Sequence, residues 1–307
     1  MMPARLPIAI GLVGCGPWGG NILRDLQVLG IRVEVAARHE VTRQRALDGG
    51  ASFVGKIGDL LDHDLDGFVV AVNASDHGAA IRTLLPTGKP IFVEKPLSLD
   101  PVSAREIANL GDGQVFMMDK WRYHSGVAMI RALVIENTLG PVVGIRTRRN
   151  EQLWHHDCEQ PWTLLPHDLA IIEELIGVVP PIQSVAHDRV GNTTFGLIAT
   201  LGPHPWVSIE CLGRATERAR EVTVFCSEGT ISLPHASSAH VVVDRFHGLN
   251  REVTTQLISC PGEWPLLAEL REFVAFLHGG PTPRVGVASG LHHVEIIDRL
   301  MRWTPTG

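Results

Sequence analysis

The sequence predicts a two-part chain, α/β plus α+β: a doubly wound parallel sheet over residues 1–121, then an open, mostly antiparallel β-sheet with a few helices over 122–307. Three observations carry that prediction. Through residue 119 short apolar runs alternate with helical stretches, the pattern of βαβ units whose sheet is covered on both faces. From residue 182 to 257 strands of alternating character follow one another with almost no helix between them, as in an antiparallel sheet with one exposed face. Finally, 307 residues exceed what one core usually organises, and 45% apolar residues are ample for two.

Each element has a local reason. "PIAIGLV" at 7–13 is a buried-strand run, followed by the glycine turn "GCGPWGG" and a helix with Ile22, Leu26 and Leu29 on one face and Gly30 as its stop. "IRVEVAAR" reads as the second strand, 41–49 as a helix, 52–55 as extended and 58–62 as a helical turn. "GFVVAV" is a buried strand before the loop "NASDH" and a helix at 77–88; "PIFVE" is the next strand, Asp100-Pro101 opens a helix to 110, and "QVFMMD" closes this half. A helix at 126–138, the strand "PVVGIRTRR", a Trp- and His-rich loop and a helix at 167–176 come next. "TFGLIATL", "WVSIECL", "EVTVFCS" and "HVVVDRF" then read as strands. Helices at 264–278 and 286–302 finish the chain, and their apolar faces are expected to pack back on the first domain.

Composition excludes several function classes. A formal charge of −6 and a pI near 6.2, with no cluster of lysines or arginines, leave no footprint for a nucleic acid or an anionic membrane. The five cysteines, Cys15, Cys158, Cys211, Cys226 and Cys260, form no CxxC pair and are odd in number, arguing against a zinc knuckle and a secreted disulfide framework. They read as reduced thiols of a cytoplasmic protein. The N-terminal apolar stretch is short, breaks into glycines and lacks a cleavage site. No run approaches the roughly 20 apolar residues that span a bilayer. The expected partners are a small-molecule substrate and further copies of the chain, as a homodimer or homotetramer through an apolar face of the C-terminal sheet.

Three stretches carry chemistry. Gly14-Cys15-Gly16-Pro17-Trp18-Gly19 is a GxGxxG between a strand and a helix, where glycines let backbone N–H groups and the helix N-terminus approach a pyrophosphate, the dinucleotide site of a Rossmann domain. At the end of strand two, where an NAD enzyme has a carboxylate for the ribose hydroxyl, the sequence reads Val35-Ala36-Ala37-Arg38-His39. Arg38, with Arg43, fits a 2′-phosphate, so NADP(H) is favoured over NAD(H); a solvated surface arginine is the competing reading. Glu94-Lys95-Pro96 ends a strand at the edge where ligands of open α/β sheets bind. Adjacent strand residues point to opposite faces, so Glu94 and Lys95 each need another partner. A lysine there suits a substrate oxygen that gains charge during hydride transfer.

"GLVGCGPWGG", "VEKPLSL", their spacing and a downstream "PHDLAIIEELIG" together resemble the glucose-fructose oxidoreductase, inositol dehydrogenase and MocA family of NAD(P)-dependent oxidoreductases. The resemblance implies that Lys95 binds the reacting hydroxyl or carbonyl and that His167 is the acid/base residue. It also implies a cofactor role for His77, and Asn73 in the same loop is grouped with it. Thr163 stands where the family commonly has an aspartate one helical turn before the histidine, and threonine offers a hydrogen bond without a charge. Tyr123, the chain's one tyrosine, is either a second hydroxyl beside Lys95 or a buried structural phenol. Trp154, Trp162, Thr163 and Asp168 are assigned to the substrate side, with core filling as the alternative for Trp162. His155-His156-Asp157-Cys158 lacks the spacing of a metal site, and no metal is expected. The function this implies is hydride transfer to or from a sugar, aminosugar or nucleotide-sugar carbinol or carbonyl. Reduction of an imine or biliverdin-like substrate on the same scaffold, and non-catalytic cofactor sensing, are the alternatives.

Overall fold

The computed structural model describes residues 8–152, 158–248 and 252–304. The chain forms two compact units: residues up to Asp119 with Leu266–Glu295, and Lys120–Pro265 with the residues from Ile296 onward.

In the first unit six strands, β1 (Ala9–Val13), β2 (Arg32–Ala36), β3 (Phe53–Gly55), β4 (Gly67–Val70), β5 (Ile91–Glu94) and β6 (Val115–Met118), form a sheet ordered β3-β2-β1-β4-β5-β6. Every pairing in it is parallel. Strand order reverses between β1 and β4, the switch point beside which such sheets bind ligands. Helices α1 (Pro17–Val28), α2 (Glu40–Asp48), α3 (Ile57–Leu61), α4 (His77–Leu84) and α5 (Pro101–Leu110) connect the strands. The sequence foretold this doubly wound half because β1, β4, β5 and β6 are buried along their whole length and therefore read as unbroken apolar runs. Asp100 caps α5 as the Asp-Pro pair implies, its carboxylate accepting from the Ser103 amide at 2.8 Å.

In the second unit the described strands are β7 (Val142–Gln152), β8 (Ile182–Val190), β9 (Thr193–Leu201), β10 (Trp206–Leu212), β11 (Arg214–Cys226), β12 (Gly229–Leu233), β13 (His240–His247) and β14 (Glu252–Ser259). They form one sheet ordered β14-β13-β12-β11-β7-β10-β9-β8, antiparallel except for the β7–β10 pair. Helices α6 (Ser125–Ile135) and α7 (Gln160–Ile176) belong to this unit. Ile145, Ile209, Val222 and Val224 bury one face of its central strands.

Three expectations need correction here. The other face is not broadly apolar: Arg148, Glu210 and Glu221 stand in register across β7, β10 and β11, with Arg148 Nε 2.9 Å from Glu210 and Nη1 3.3 Å from Glu221. Alternation along the strands puts these three charged residues on the side opposite Ile145, Ile209, Val222 and Val224. Helix α7 starts at Gln160 rather than at 167, with Pro161 in its first turn and Pro166 inside it. An interior proline costs about 3 kcal/mol, but 13 of the 17 residues are buried, and that packing outweighs the lost hydrogen bond. Strand β11 likewise begins at Arg214, before the apolar run that marks it.

Near the C-terminus, α8 (Pro265–Leu277) places Leu266, Leu270, Phe273, Val274 and Leu277 in the core cluster that holds Ile10, Leu12 and Val69. Phe273 stacks on Phe92 at 4.8 Å between ring centroids. α9 (Val287–Arg302) follows, and a Cβ at its Gly290 would lie 2.6 Å from Met117 Sδ and 3.2 Å from Leu97 Cβ, so glycine permits a close crossing over β6 and the turn after β5. Among the described residues no helix is long and apolar enough to cross a membrane. Among the described residues no cysteine is in a disulfide.

Candidate active site

The turn after β1 is shaped by steric exclusion. Gly14 has φ 98° and its amide donates to the Ala36 carbonyl at 2.8 Å; a Cβ there would come within 2.6 Å of the Ala71 carbonyl oxygen. A Cβ on Gly19 would lie 2.3 Å from the Gly14 carbonyl oxygen, so this glycine lets α1 pack onto the strand end. Gly16 differs: its Cβ would meet nothing within 4 Å. Gly16 is also the N-cap of α1, with no side-chain cap, Pro17 at the first helical position and no acidic residue in the first turn. The positive end of a twelve-residue helix thus meets open space beside a side-chain-free backbone, an arrangement that fits a pyrophosphate.

Sequence reasoning missed what holds this turn. Arg45 Nη1 donates to the Cys15 carbonyl at 3.0 Å, and its Cδ lies 3.1 Å from where a Gly20 Cβ would stand. Arg43, named with Arg38 for a 2′-phosphate, is two residues from Arg45, and residues two apart on a helix point to nearly opposite sides. Position within α2 was the available signal.

The turn after β5 is tied to the glycine turn by one carboxylate. The Trp18 indole N–H donates to Glu94 Oε1, and the Lys95 amide donates to Glu94 Oε2 at 3.2 Å. Glu94 therefore finds its partner in Trp18, 76 residues earlier. The Lys95–Pro96 peptide is cis. Behind it lies His77, 1% exposed, with Nδ1 2.7 Å from the Pro96 carbonyl oxygen and Nε2 3.2 Å from that of Val72. Burial pushes its pKa down, with the Pro96 carbonyl opposing. A neutral imidazole has one N–H, and the shorter contact assigns it to Nδ1. His77, expected to face the cofactor, instead staples the loop after β4 to the turn that carries Lys95. Asn73, in the same loop, is exposed.

At the end of β2 the absence of a carboxylate holds: Glu34 lies within the strand, buried and engaged by Arg32 and His63. Arg38 lies just beyond the strand, 78% exposed, with Nη1 3.7 Å from Asp76 Oδ2.

In the second unit, α7 carries the other predicted residues. His167 is buried to 8% exposure, and its ring centroid lies 6.4 Å from that of Trp121, tilted by 58°. Trp162 is buried, as the core reading requires. Thr163 Oγ1 donates back to the Gln160 carbonyl at 2.9 Å, a bond within its own helix. Asp168 is fully buried and its Oδ2 accepts from Arg149 Nε at 3.1 Å, so its carboxylate meets a protein cation rather than an open surface. Burial raises its pKa while Arg149 opposes the rise. Tyr123 closes a single 3-10 turn, Lys120–Tyr123, and is half-buried. Trp154, His155, His156 and Asp157 lie outside the described residues.

The neighbouring His124 has its tautomer fixed. Its Nδ1 accepts from the Gly126 amide at 3.1 Å as the cap of α6, so the proton sits on Nε2 and points to the Ala236 carbonyl at 2.8 Å. Burial, with Arg149 and Lys120 nearby, holds its pKa down.

A glycine turn opening a helix at the switch point of a parallel sheet makes the first unit a dinucleotide-binding Rossmann fold. Residues 8–115 match the Gfo/Idh/MocA family model, described as "Oxidoreductase family, NAD-binding Rossmann fold", so the first unit resembles that family. A myo-inositol dehydrogenase of Streptomyces leeuwenhoekii is 24% identical over 160 residues, covering 50% of this chain and 47% of its own length. The chain thus spans about half the length of that curated relative. A 3-ketoreductase from Actinomadura kijaniata, solved with TDP-benzene and NADP, has TM-score 0.84 at 17% identity, covering 96% of this chain and 97% of its own. A levoglucosan dehydrogenase solved with NADH has TM-score 0.84 at 14% identity, covering 96% of each chain. At these identities the two structures speak for the fold.

Proposed function

We propose that the protein is an NAD(P)-dependent oxidoreductase that moves hydride to or from a carbinol or carbonyl carbon of a sugar, aminosugar or nucleotide sugar. The observation that carries the reading is the Glu94 carboxylate, which joins the pyrophosphate cradle at Trp18 to the turn of Lys95. A cofactor bound there and a substrate oxygen at Lys95 are held by one rigid assembly. The myo-inositol dehydrogenase, the levoglucosan dehydrogenase and the 3-ketoreductase solved with TDP-benzene among the similar proteins support the substrate class.

When bound, the nicotinamide supplies the two-electron acceptor or donor. The Lys95 ammonium donates to the substrate oxygen and offsets the negative charge that develops on it. His167 exchanges the hydroxyl proton, and Tyr123 is the second hydroxyl on the substrate side. NADP(H) is the preferred cofactor, supported by Arg38 beyond β2 and by the commitment of Glu34 within it. The chain acts as a homodimer or homotetramer through the C-terminal sheet, a state that light scattering at micromolar concentration reads directly.

The test is reduction of NADP⁺ and NAD⁺, followed at the nicotinamide absorbance, against inositols, anhydrosugars and UDP- and TDP-sugars, with the reverse reaction on the ketosugars. Lys95→Met is expected to lower turnover by about 10²–10³-fold with cofactor affinity little changed. Wild-type turnover in that variant removes Lys95 from the chemistry. One observation favours a second reading: threonine at 163 carries no charge, so the usual charged partner of the histidine is absent from that position, which suits imine reduction. Turnover on cyclic imines with none on sugars selects it; tight cofactor binding without any turnover selects a cofactor sensor.

A further inference from the structure

We propose that Arg149, Asp168 and Trp121 form a buried platform that sets the position of the His167 imidazole, and that all three are positioning residues; this rests on the reading of His167 as the proton-exchanging group. Arg149 is 3% exposed and comes from β7, on the same side of the sheet as Thr147. Its Nε donates to Asp168, and its guanidinium carbon lies 4.6 Å from the Trp121 ring centroid. Trp121 is buried too, its ring stacked on His124 at 4.8 Å with 13° between planes, and it is the ring beside His167. Strand, helix and 3-10 turn therefore converge through one guanidinium.

The geometry gives each contact a job. Asp168 follows His167 directly on α7, so an Asp168 side chain held by Arg149 sets the rotation of the helix about its axis where His167 leaves it. The Trp121 ring bounds the imidazole on a second side, and the cation over that ring holds the indole in place. His124 shares the stack but has both ring nitrogens engaged by backbone groups, so it braces the indole and takes no part in proton transfer. Stability alone is a poor reason for the pair, since well-packed apolar residues commonly replace a buried ion pair without loss. Positioning accounts for a charge kept where the fold does not require one.

That last point supplies the test, made on the full chain. Arg149→Met and Asp168→Leu alone each leave a buried charge without its counter-ion and are expected to lower Tm, whereas the double variant removes both charges and is expected to recover it. A merely structural pair predicts that turnover returns with Tm. A platform predicts that kcat of the double variant stays down by roughly 10²-fold, with KM and cofactor Kd near wild type. Full recovery of kcat overturns the proposal. If the double variant does not fold, Trp121→Leu against Trp121→Phe gives the answer: a fall in kcat that the aromatic replacement restores supports the platform, and equal kcat in both overturns it. Independently of any substrate, the His167 imidazole signals, assigned with His167→Asn in isotope-labelled protein, are expected to form one sharp set in wild type and to split or broaden in Trp121→Leu. Unchanged signals in the folded variant overturn the proposal even if the wild type oxidises nothing, while absent turnover with the expected signals overturns only the functional reading.

Discussion

The cradle of the first unit and the helix-borne site of the second are built on different physics. Around Lys95 the parts are loops at strand ends, tied by hydrogen bonds from Trp18, His77 and Gly14 and shaped by positions where a Cβ has no room. Around His167 they are a helix joined by ion pairs to a strand and to a 3-10 turn, Arg149 of β7 with Asp168 at the centre and Arg122 of the turn with Glu173 nearer the end of α7. Steric exclusion forbids a side chain and tolerates no compensation. A buried ion pair penalises loss of one partner and permits loss of both.

The sharpest way to break that comparison lies in the glycine turn. Gly14→Val forces a β-branched residue to φ 98° with its Cβ 2.6 Å from a carbonyl oxygen, and is expected to cost at least about 1–3 kcal/mol and to abolish cofactor binding, read by thermal melt and nicotinamide fluorescence titration. Gly16→Leu should instead leave the melt unchanged and still weaken the cofactor, because its Cβ meets nothing within 4 Å in the fold itself. Equal destabilisation by the two would end the distinction between a packing glycine and a ligand glycine.

Acid comes next in size and acts on both units. Burial holds the pKa values of His77 and His124 below the ordinary histidine value of 6.5, so each is neutral in the folded state while the unfolded chain still takes up a proton. Stability is therefore full above that pH and falls as pH drops through it toward the folded-state values, by at most about 1.4 kcal/mol per pH unit for each histidine. Urea denaturation between neutral and mildly acidic pH checks this. His77→Asn should flatten the dependence, and an unaltered slope would mean that the Pro96 staple does not report on the fold.

The smallest expected effect belongs to Arg38. Its exposed side chain makes Arg38→Ala worth about 1 kcal/mol against NADPH and nothing against NADH. Titrations showing equal loss for both cofactors would take Arg38 out of cofactor choice, and a larger selective loss would show a better-ordered 2′-phosphate contact than its position against Asp76 suggests.

Much of the first unit was legible because its rules are local. Positive φ, an uncapped helix N-terminus and an Asp-Pro start all act within a few residues, so "GCGPWGG" and "SLDP" announce their geometry directly. Lys95 was found by its place at a strand end. His77 was found as a residue but not as a role: nothing in "NASDH" says that its ring turns inward onto the Pro96 carbonyl. Glu94 posed a problem the sequence stated but could not solve, since the indole that answers it lies 76 positions away.

In the second unit the sequence established the class of sheet and the identity of the helix carrying His167, because alternation and periodicity survive wherever one face is buried. It placed the start of that helix at 167, just after Pro166, since local rules treat a proline as a boundary and cannot weigh the burial of 13 of the helix's residues against one lost hydrogen bond. The packing of Leu266–Glu295 with the first unit follows the expectation for the C-terminal helices, whereas the pairing of Arg149 with Asp168 beneath Trp121 was decided by tertiary structure alone. A buried charge selects its partner by proximity after folding, because burial leaves it no other means of offsetting the lost water.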